Sequence, residues 1–423
     1  MDILALNCGS SSVKYQLFNW ERREVIAKGM VERVTSEGSF IIHEVPGRKT
    51  HQQEHECPDH QVAIQLILHT LTDGALGVLE TMDQVSAVGH RVVHGGEKFK
   101  CSVRIDDAVL AAIRDVAELA PLHNPANIAG IEAAQAVLPR VPHVAIFDTA
   151  FHQTMPPHAY LYPLPMEWYE KHDVRRYGFH GTSHLYVSKR AAALLGRDPS
   201  DCRLVTMHIG NGVSHAAIKG GVSVDTSMGM TPLEGAMMGT RCGDIDPAIP
   251  AFIMEKEGFS SAQIDALLNK KSGILGITGR YTDRRDVLEA AAQEDESCRL
   301  ALEMECYRLK KYIGAYAAAL GGLDAVVFTA GVGEMGWQIR EGALQGLEFL
   351  GIRLDSEKNR NTMTRKAETV ISEPDSPVKV FVIPTNEELV FIEDVVAILE
   401  GTYKNHMKFV YSFARGERKG EAA

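Results

Sequence analysis

The feature that most constrains this chain is a strand–turn–strand unit that occurs twice, about half the sequence apart. The first copy begins with the apolar run Ile3 to Leu6 and stops at Asn7-Cys8-Gly9-Ser10-Ser11-Ser12. It resumes as the alternating stretch Val13-Lys14-Tyr15-Gln16-Leu17-Phe18. The second copy runs Leu204-Val205-Thr206-Met207 into His208-Ile209-Gly210-Asn211-Gly212-Val213-Ser214 and continues through Ala216-Ala217-Ile218. Apolar runs interrupted by glycine and small polar residues read as hairpins with polar tips. Aligning Gly9 with Gly210 sets Asn7 against His208 and superposes the flanking strands. Self-similarity on that scale predicts a duplicated fold with two related domains.

Helical periodicity covers residues 62–79 and 106–119, with Asp106 and Asp107 placed as cap or first-turn residues. Val144-Ala145-Ile146-Phe147 is a buried-type strand ending at Asp148. A Pro-rich stretch, residues 155–165, then separates the halves as a candidate boundary. Further on, residues 298–320 form a long amphipathic helix. Ala325-Val326-Val327-Phe328 leads into Thr329-Ala330-Gly331-Val332-Gly333-Glu334, which reads as strand, Gly loop, helix. Alternating strands and helices define an α/β class. The tail after Tyr403 is polar and basic (Lys404, Lys408, Arg415, Arg418, Lys419) and reads as a frayed end or a small accessory contact.

Composition narrows the function classes. A length of 423 residues suffices for two or three domains, and 45% hydrophobic with 23% charged residues is globular. A net charge of −11 argues against a nucleic-acid or anionic-membrane surface. The start carries no secretory pattern and no apolar run is long enough to span a bilayer. Seven cysteines without a C-x-x-C pair fit reduced thiols, so a cytoplasmic protein is expected.

Three turns place small residues just after a strand, where backbone N–H groups can approach an anion: residues 7–12, 208–214 and 331–334. Lys14 follows the first and can add a point charge. Tight turns need glycine in any case, so it is the recurrence that favours a nucleotide. None is a Walker loop, and no G-x-G-x-x-G opens a helix. Arg91 and Arg241 lie among glycines, where a guanidinium can grip a planar anion bidentately, and His180 lies in Gly178-Phe179-His180-Gly181. A surface ion pair for each arginine, and a core hydrogen bond for the histidine, are the alternative readings. Asp148 and the Pro384-Thr385-Asn386-Glu387-Glu388 run follow strands, where a carboxylate can position Mg²⁺ or cap a helix. His51, His55, Cys57 and His60 crowd a polar loop, but their spacing matches no closed zinc site.

Taken together, these strings make the chain to about Tyr403 resemble the acetate and propionate kinase family of the actin-like ATPase superfamily. The resemblance rests on Asn7-Cys8-Gly9-Ser10-Ser11-Ser12, residues 89–97, Phe147-Asp148-Thr149 to His152, residues 176–184, residues 225–235 and residues 384–388. It implies two duplicated actin-like (ribonuclease H-like) domains flanking a nucleotide cleft. Residues 1–150 with 386–423 would form the carboxylate side and residues 151–385 the nucleotide side. It implies a reversible transfer between ATP/ADP and a small carboxylic acid and its acyl phosphate, with Mg²⁺ (Mn²⁺ as an alternative ion). It also implies a homodimer, with neither nucleic acid nor membrane as partner.

Residue by residue, the resemblance assigns Asn7 and Glu387 to the metal, and Ser10, Ser12 and Lys14 to ATP. Asp148, His180, Arg241 and Arg91 take the catalytic roles, Arg91 also gripping the acid. Val93, Leu122, Phe179 and Pro232 line a small apolar pocket. His208, Ile209, Gly210, Asn211, Gly212, Asp283, Arg284, Arg285, Gly331, Val332, Gly333, Glu334 and Met335 bind nucleotide. The chain departs from the family at Ala330-Gly331-Val332-Gly333-Glu334-Met335, where Gly-Gly-Ile-Gly-Glu-Asn is usual. Met335 lacks the amide of asparagine, so looser purine selectivity is expected.

A carboxylate with a pKa of roughly 4–5 is ionised at neutral pH and needs no strong base. The expected mechanism is therefore direct in-line transfer, supported by alignment and charge stabilisation. The branched Val93 leaves less room than alanine, which favours acetate over propionate. A propionate or butyrate kinase of the same fold is the nearest alternative, and an actin-like ATP-dependent binding or switch protein the alternative of another class.

Overall fold

The computed structural model describes residues 1–121 and 123–414. They fall into two compact units, one of Met1–Phe151 with Asn386–Tyr411, the other of His152–Thr385 with the segment from Ser412.

The first unit is built on a sheet of β1 (Asp2–Cys8), β2 (Ser12–Asn19), β3 (Glu24–Glu32), β4 (Phe40–Glu44), β5 (His51–Glu54), β6 (Val85–Val92), β7 (Val103–Arg104) and β8 (His143–Phe147). Their order is β5-β4-β3-β2-β1-β6-β8-β7, with β1, β6 and β8 parallel. Alternation along β1 divides its side chains between two cores. Leu4, Leu6 and Cys8 pack with Ile64, Leu68 and Ala134 of helices His60–Thr72 and Asn124–Val137. Ile3 and Ala5 pack with Phe391, Ile392 and Val395 of helix Glu387–Leu399. Asn7, at an odd position, belongs to this second face.

The second unit repeats the scheme with β9 (Arg203–Ile209), β10 (Val213–Lys219), β11 (Val222–Thr226), β12 (Ala325–Thr329), β13 (Thr369–Val370) and β14 (Lys379–Val382). The order β11-β10-β9-β12-β14 reproduces β3-β2-β1-β6-β8, antiparallel on one side of the central strand and parallel on the other. Cys8 pairs with Val13, and Ile209 with Val213. Asn7 and His208 therefore occupy equivalent register positions, as the repeat predicts.

Several expectations change. The helix expected over 62–79 stops at Thr72, because the Asp73 carboxylate accepts from the amides of Ala75 and Leu76 and turns the chain. The 106–119 helix ends at Asp115, with one further turn over Ala117–Leu119. The Pro-rich stretch lies inside the second unit, since the division falls at Phe151/His152. The grouping of everything after residue 386 with the first unit ends at Tyr411. Phe413 instead packs on Tyr186 at 4.7 Å, and its carbonyl accepts from Arg190 Nη1 at 2.6 Å. The described part of the tail is not frayed, because the Tyr411 hydroxyl donates to buried Asp394 at 2.7 Å. Arg415, Arg418 and Lys419 lie outside the described residues. All seven cysteines stand unpaired, and no helix among the described residues is long and apolar enough to cross a membrane.

Candidate active site

In the first unit three parallel strands deliver their C-terminal ends together. Register pairs Leu6 with His90, and Arg91 with Ile146, so Asn7, Arg91 and Asp148 lie at neighbouring strand ends. Ligands bind at such ends in α/β sheets. Arg91 donates from Nε to Asp148 Oδ1 at 2.9 Å and from Nη2 to Oδ2 at 2.6 Å. Asp148 is 1% exposed and the Arg91 side chain 21%. Burial alone would weaken the Arg91 charge, but the Asp148 carboxylate outweighs it and holds the pKa above the ordinary value, with help from Glu387 and Glu388.

Asn7 and Lys14 face each other across β1 and β2 and, with Glu388, line a cavity of about 170 Å³. Asn386 caps helix Glu387–Leu399, its side chain accepting from the Leu389 amide, which puts Glu387 and Glu388 in the first turn. Burial raises the Glu388 pKa, and the like charge of Glu387 raises it further. Two crowded carboxylates beside an asparagine amide are a donor set that a hard divalent cation relieves. Among the described residues no group of three or more His, Cys, Asp or Glu could hold a metal ion. Mg²⁺ in kinase sites needs only one or two protein carboxylates, the phosphates supplying the rest; Glu388 shares the cavity with Asn7, and Glu387 adjoins it in the first turn. Of the histidine-rich loop, His51 belongs to β5, Cys57 is buried in the core and His60 Nε2 lies 2.7 Å from the Gly9 carbonyl.

In the second unit His180 opens helix Gly181–Leu194 with a left-handed φ of 56°. Its Nδ1 bonds Ser214 Oγ at 2.8 Å, and its ring stacks on His208 with centroids 4.1 Å apart. Ser214 Oγ also contacts His184 Nε2 at 2.8 Å, while Ser183 Oγ holds His208 Nδ1 at 2.8 Å. The Arg241 guanidinium and the His180 ring converge on the turn at Gly212. A Cβ there would lie 3.4 Å from Arg241 Nη1 and 3.7 Å from His180 Nε2. Arg241 donates to the Pro232 carbonyl at 3.1 Å and forms no ion pair among the described residues, and burial lowers its pKa. A half-buried guanidinium without a carboxylate partner can meet an anion without first breaking an ion pair.

Register pairs Thr329 with His208, so the turn after β12 lies beside the His208–Gly212 turn at the same sheet edge. The expected Gly loop is the short helix Ala330–Met335, entered through Ala330 at φ 64°. Gly331 is exposed, with nothing within 4 Å of a would-be Cβ, and Met335 is 38% exposed. Glu334 is buried, which raises its pKa, and accepts from the Thr385 amide at 3.2 Å.

The remaining expected residues divide. Arg284 is locked into the core by Glu305, 2.8 Å from Nη2, and both are at most 5% exposed. Asp283 caps helix Arg284–Ala292, and its hydrogen bonds from Arg285 lower its pKa to about 2. Arg285 is largely solvent-exposed. Ser10 is exposed and Ser12 partly buried. Of the apolar pocket, Val93 is buried in the first unit. Phe179 (buried) and Pro232 (partly exposed) belong to the second, and Leu122 lies outside the described residues. Sequence reasoning missed Arg340. It is fully buried, and its five N–H groups bind the carbonyls of Gly333, Glu334, Asn359 and Thr362 and the Asn359 side chain. Burial lowers its pKa to about 10. Its carbonyl partners leave no residue-type pattern to read.

The sheet order repeated in the two units defines an α/β protein of the actin-like class. The model of the acetokinase family matches residues 2–393. The acetate kinase of Geobacter metallireducens is 74% identical over 98% of this chain and 99% of that protein, and that of Geobacter sulfurreducens 73% over the same shares. The crystal structure of Porphyromonas gingivalis acetate kinase matches with a TM-score of 0.90 at 49% identity, covering 94% of this chain and 99% of the other. A propionate kinase from Francisella tularensis matches with 0.86 at 40% identity, covering 93% and 98%. The chain belongs to the acetokinase family and is an enzyme, a kinase.

Proposed function

We propose that the enzyme transfers the γ-phosphoryl group of ATP directly to acetate, giving acetyl phosphate and ADP, and runs in both directions. The observation that carries this reading is the contrast between its two arginines. Arg91 is held in two hydrogen bonds by Asp148 at a strand edge, whereas Arg241 has no carboxylate partner among the described residues and converges with His180 on Gly212. The first suits a fixed grip on a small carboxylate and the second the changing charge of a phosphoryl group.

Arg91 orients the acetate oxygen, with Asp148 fixing the guanidinium plane. Val93 supports acetate over longer acids by filling space beside it. Arg241 and His180 Nε2 stabilise charge on the transferring group, with Ser214 fixing the His180 ring. Residues 208–212 and 331–335 accommodate the nucleotide phosphates and nucleoside, and Lys14 adds positive charge. Asn7 and Glu387 would hold Mg²⁺, which neutralises phosphate charge when bound. Acetate arrives ionised, so the chain supplies no base, and Asp148 serves as an orienting group.

The names of the Geobacter relatives support acetate. For a homodimer the candidate surface is a groove of about 530 Å³ in the second unit, where Ile245, Ile249, Met304 and Tyr307 alternate with the charged Asp244, Asp246, Arg308 and Lys311. Seven unpaired cysteines support a cytoplasmic site. Acid quench after reaction with γ-labelled ATP is expected to leave no label on the protein. Stoichiometric label that chases to acetate would show a phosphoenzyme instead.

A further inference from the structure

Asn127 is a polar side chain only 2% exposed, on helix Asn124–Val137. Its Oδ1 accepts from the Val93 amide at 2.9 Å, and its Nδ2 donates to the Cys8 carbonyl at 2.6 Å. The helix can come this close to β1 because Gly130 faces Cys8, where a Cβ would lie 2.3 Å from the sulfur. One carboxamide thus joins the residue after Asn7 to the segment that carries Arg91 and Val93. One turn earlier, Asn124 brackets His94, accepting from its amide at 3.0 Å and donating to its carbonyl at 2.9 Å.

We propose that Asn127 is a positioning residue that sets the shape of the acid pocket and couples it to the turn bearing Asn7. The proposal rests on the assignment of Arg91 and Val93 to the acid. Strand register brings Asn7 and Arg91 side by side, but β1 ends at Cys8 and β6 at Val92, so no ladder hydrogen bond fixes Val93. Its amide is tied to Asn127, which therefore sets where the Val93 side chain stands. Only a group with one acceptor and one donor on a single short stem satisfies both backbone partners. A change of Val93 itself alters the size of that side chain, whereas a change of Asn127 leaves its size and alters where it stands.

Steady-state kinetics with acetate and propionate, on Asn127→Ala, Asn127→Asp and Val93→Ala in the full chain, tests this. Asn127→Ala is expected to lower kcat/KM for acetate by about 10–100-fold, the scale of a small misplacement. It is also expected to shift the propionate-to-acetate ratio of kcat/KM. Asn127→Asp keeps the acceptor for Val93 but loses the donor toward Cys8, so it is expected to lower kcat while holding that ratio. A residue that merely supports the fold would lower Tm and active fraction without moving KM or the ratio, and that result overturns the proposal. If Val93→Ala shifts the ratio and Asn127→Ala does not, the positioning role alone fails. If Val93→Ala leaves it unchanged, the assignment of the pocket fails and this proposal with it. Should the Asn127 variants not fold, amide hydrogen exchange on the unaltered enzyme decides. Saturating acetate is expected to slow the Val93 amide, and unchanged exchange there overturns the proposal.

Discussion

Arg91 and Asp148 meet in two parallel hydrogen bonds, Nε to Oδ1 at 2.9 Å and Nη2 to Oδ2 at 2.6 Å, across two adjacent parallel strands. Arg91 is the last residue but one of β6 and Asp148 follows the end of β8, so the backbone ladder itself presents the pair. The carboxylate consumes one edge of the guanidinium and fixes its plane. A second planar anion can then be met only at the remaining N–H groups, in a set orientation.

Breaking the pair should therefore cost both activity and stability. Asp148→Asn is expected to reduce kcat by about 10²-fold or more, because Arg91 loses its fixed plane. Arg91→Lys supplies a point charge without the fork and is expected to raise the KM for acetate with a smaller loss of kcat. Leaving a buried member of the pair unmatched should cost about 3–5 kcal/mol. Wild-type kcat in Asp148→Asn would contradict the orienting role.

Val93→Ala opens space where the acid's alkyl group is expected. One methylene is worth about 1–3 kcal/mol of discrimination, so the change should be graded. The ratio of kcat/KM for propionate over acetate is expected to rise, measured over the acid series. An unchanged ratio removes Val93 as the determinant.

Ala330 stands at φ 64°, in the left-handed region that costs a non-glycine residue about 1–2 kcal/mol. The relief in Ala330→Gly is partly offset by greater freedom of the unfolded chain. The variant is expected to gain about 0.5–1 kcal/mol, read as a higher Tm, with kcat for acetate retained. A lower Tm would show that burial of the Ala330 methyl outweighs the strain.

Asp394 accepts from Ser102 Oγ at 2.6 Å and from the Tyr411 hydroxyl at 2.7 Å, and burial pushes its pKa up to about 7. The unfolded chain holds this carboxyl near 4, so the folded state binds the extra proton between those values. Its contribution to stability is complete below about pH 4, is lost as pH rises toward 7, and is constant above. Thermal melts of wild type and Asp394→Asn from pH 4.5 to 8 should diverge across that window. The wild type should lose on the order of 2–4 kcal/mol relative to the variant. A pH-independent gap would contradict the shift.

How much of this was legible in the sequence depends on where each residue's partner lies. The hairpins at Gly9 and Gly210 could be read and aligned because glycine turns between apolar runs are local patterns, and their equivalent registers follow. Arg91, His180 and Arg241 stand in short glycine-bearing strings and Asp148 at the end of an apolar run, but their roles came from resemblance rather than spacing. Asn127 was invisible because its partners are the backbone groups of Val93 and Cys8, the latter 119 residues away. Arg340 likewise binds mainly carbonyls, which every residue carries. Arg284 matched a nucleotide segment, yet Glu305 claims it, and no local pattern joins residues 21 apart. The tail's basic composition concealed two tyrosines: Tyr411 reaches Asp394, and the Tyr403 hydroxyl accepts from the Ser102 amide at 3.5 Å.

The central claim, direct phosphorylation of acetate, is tested most directly by trapping the acyl phosphate with hydroxylamine across acids of two to four carbons with Mg-ATP. Acetyl hydroxamate is expected to form with the highest kcat/KM for acetate, a graded fall to propionate and a further fall to butyrate. A higher value for propionate or butyrate, or no hydroxamate with any acid, would contradict it.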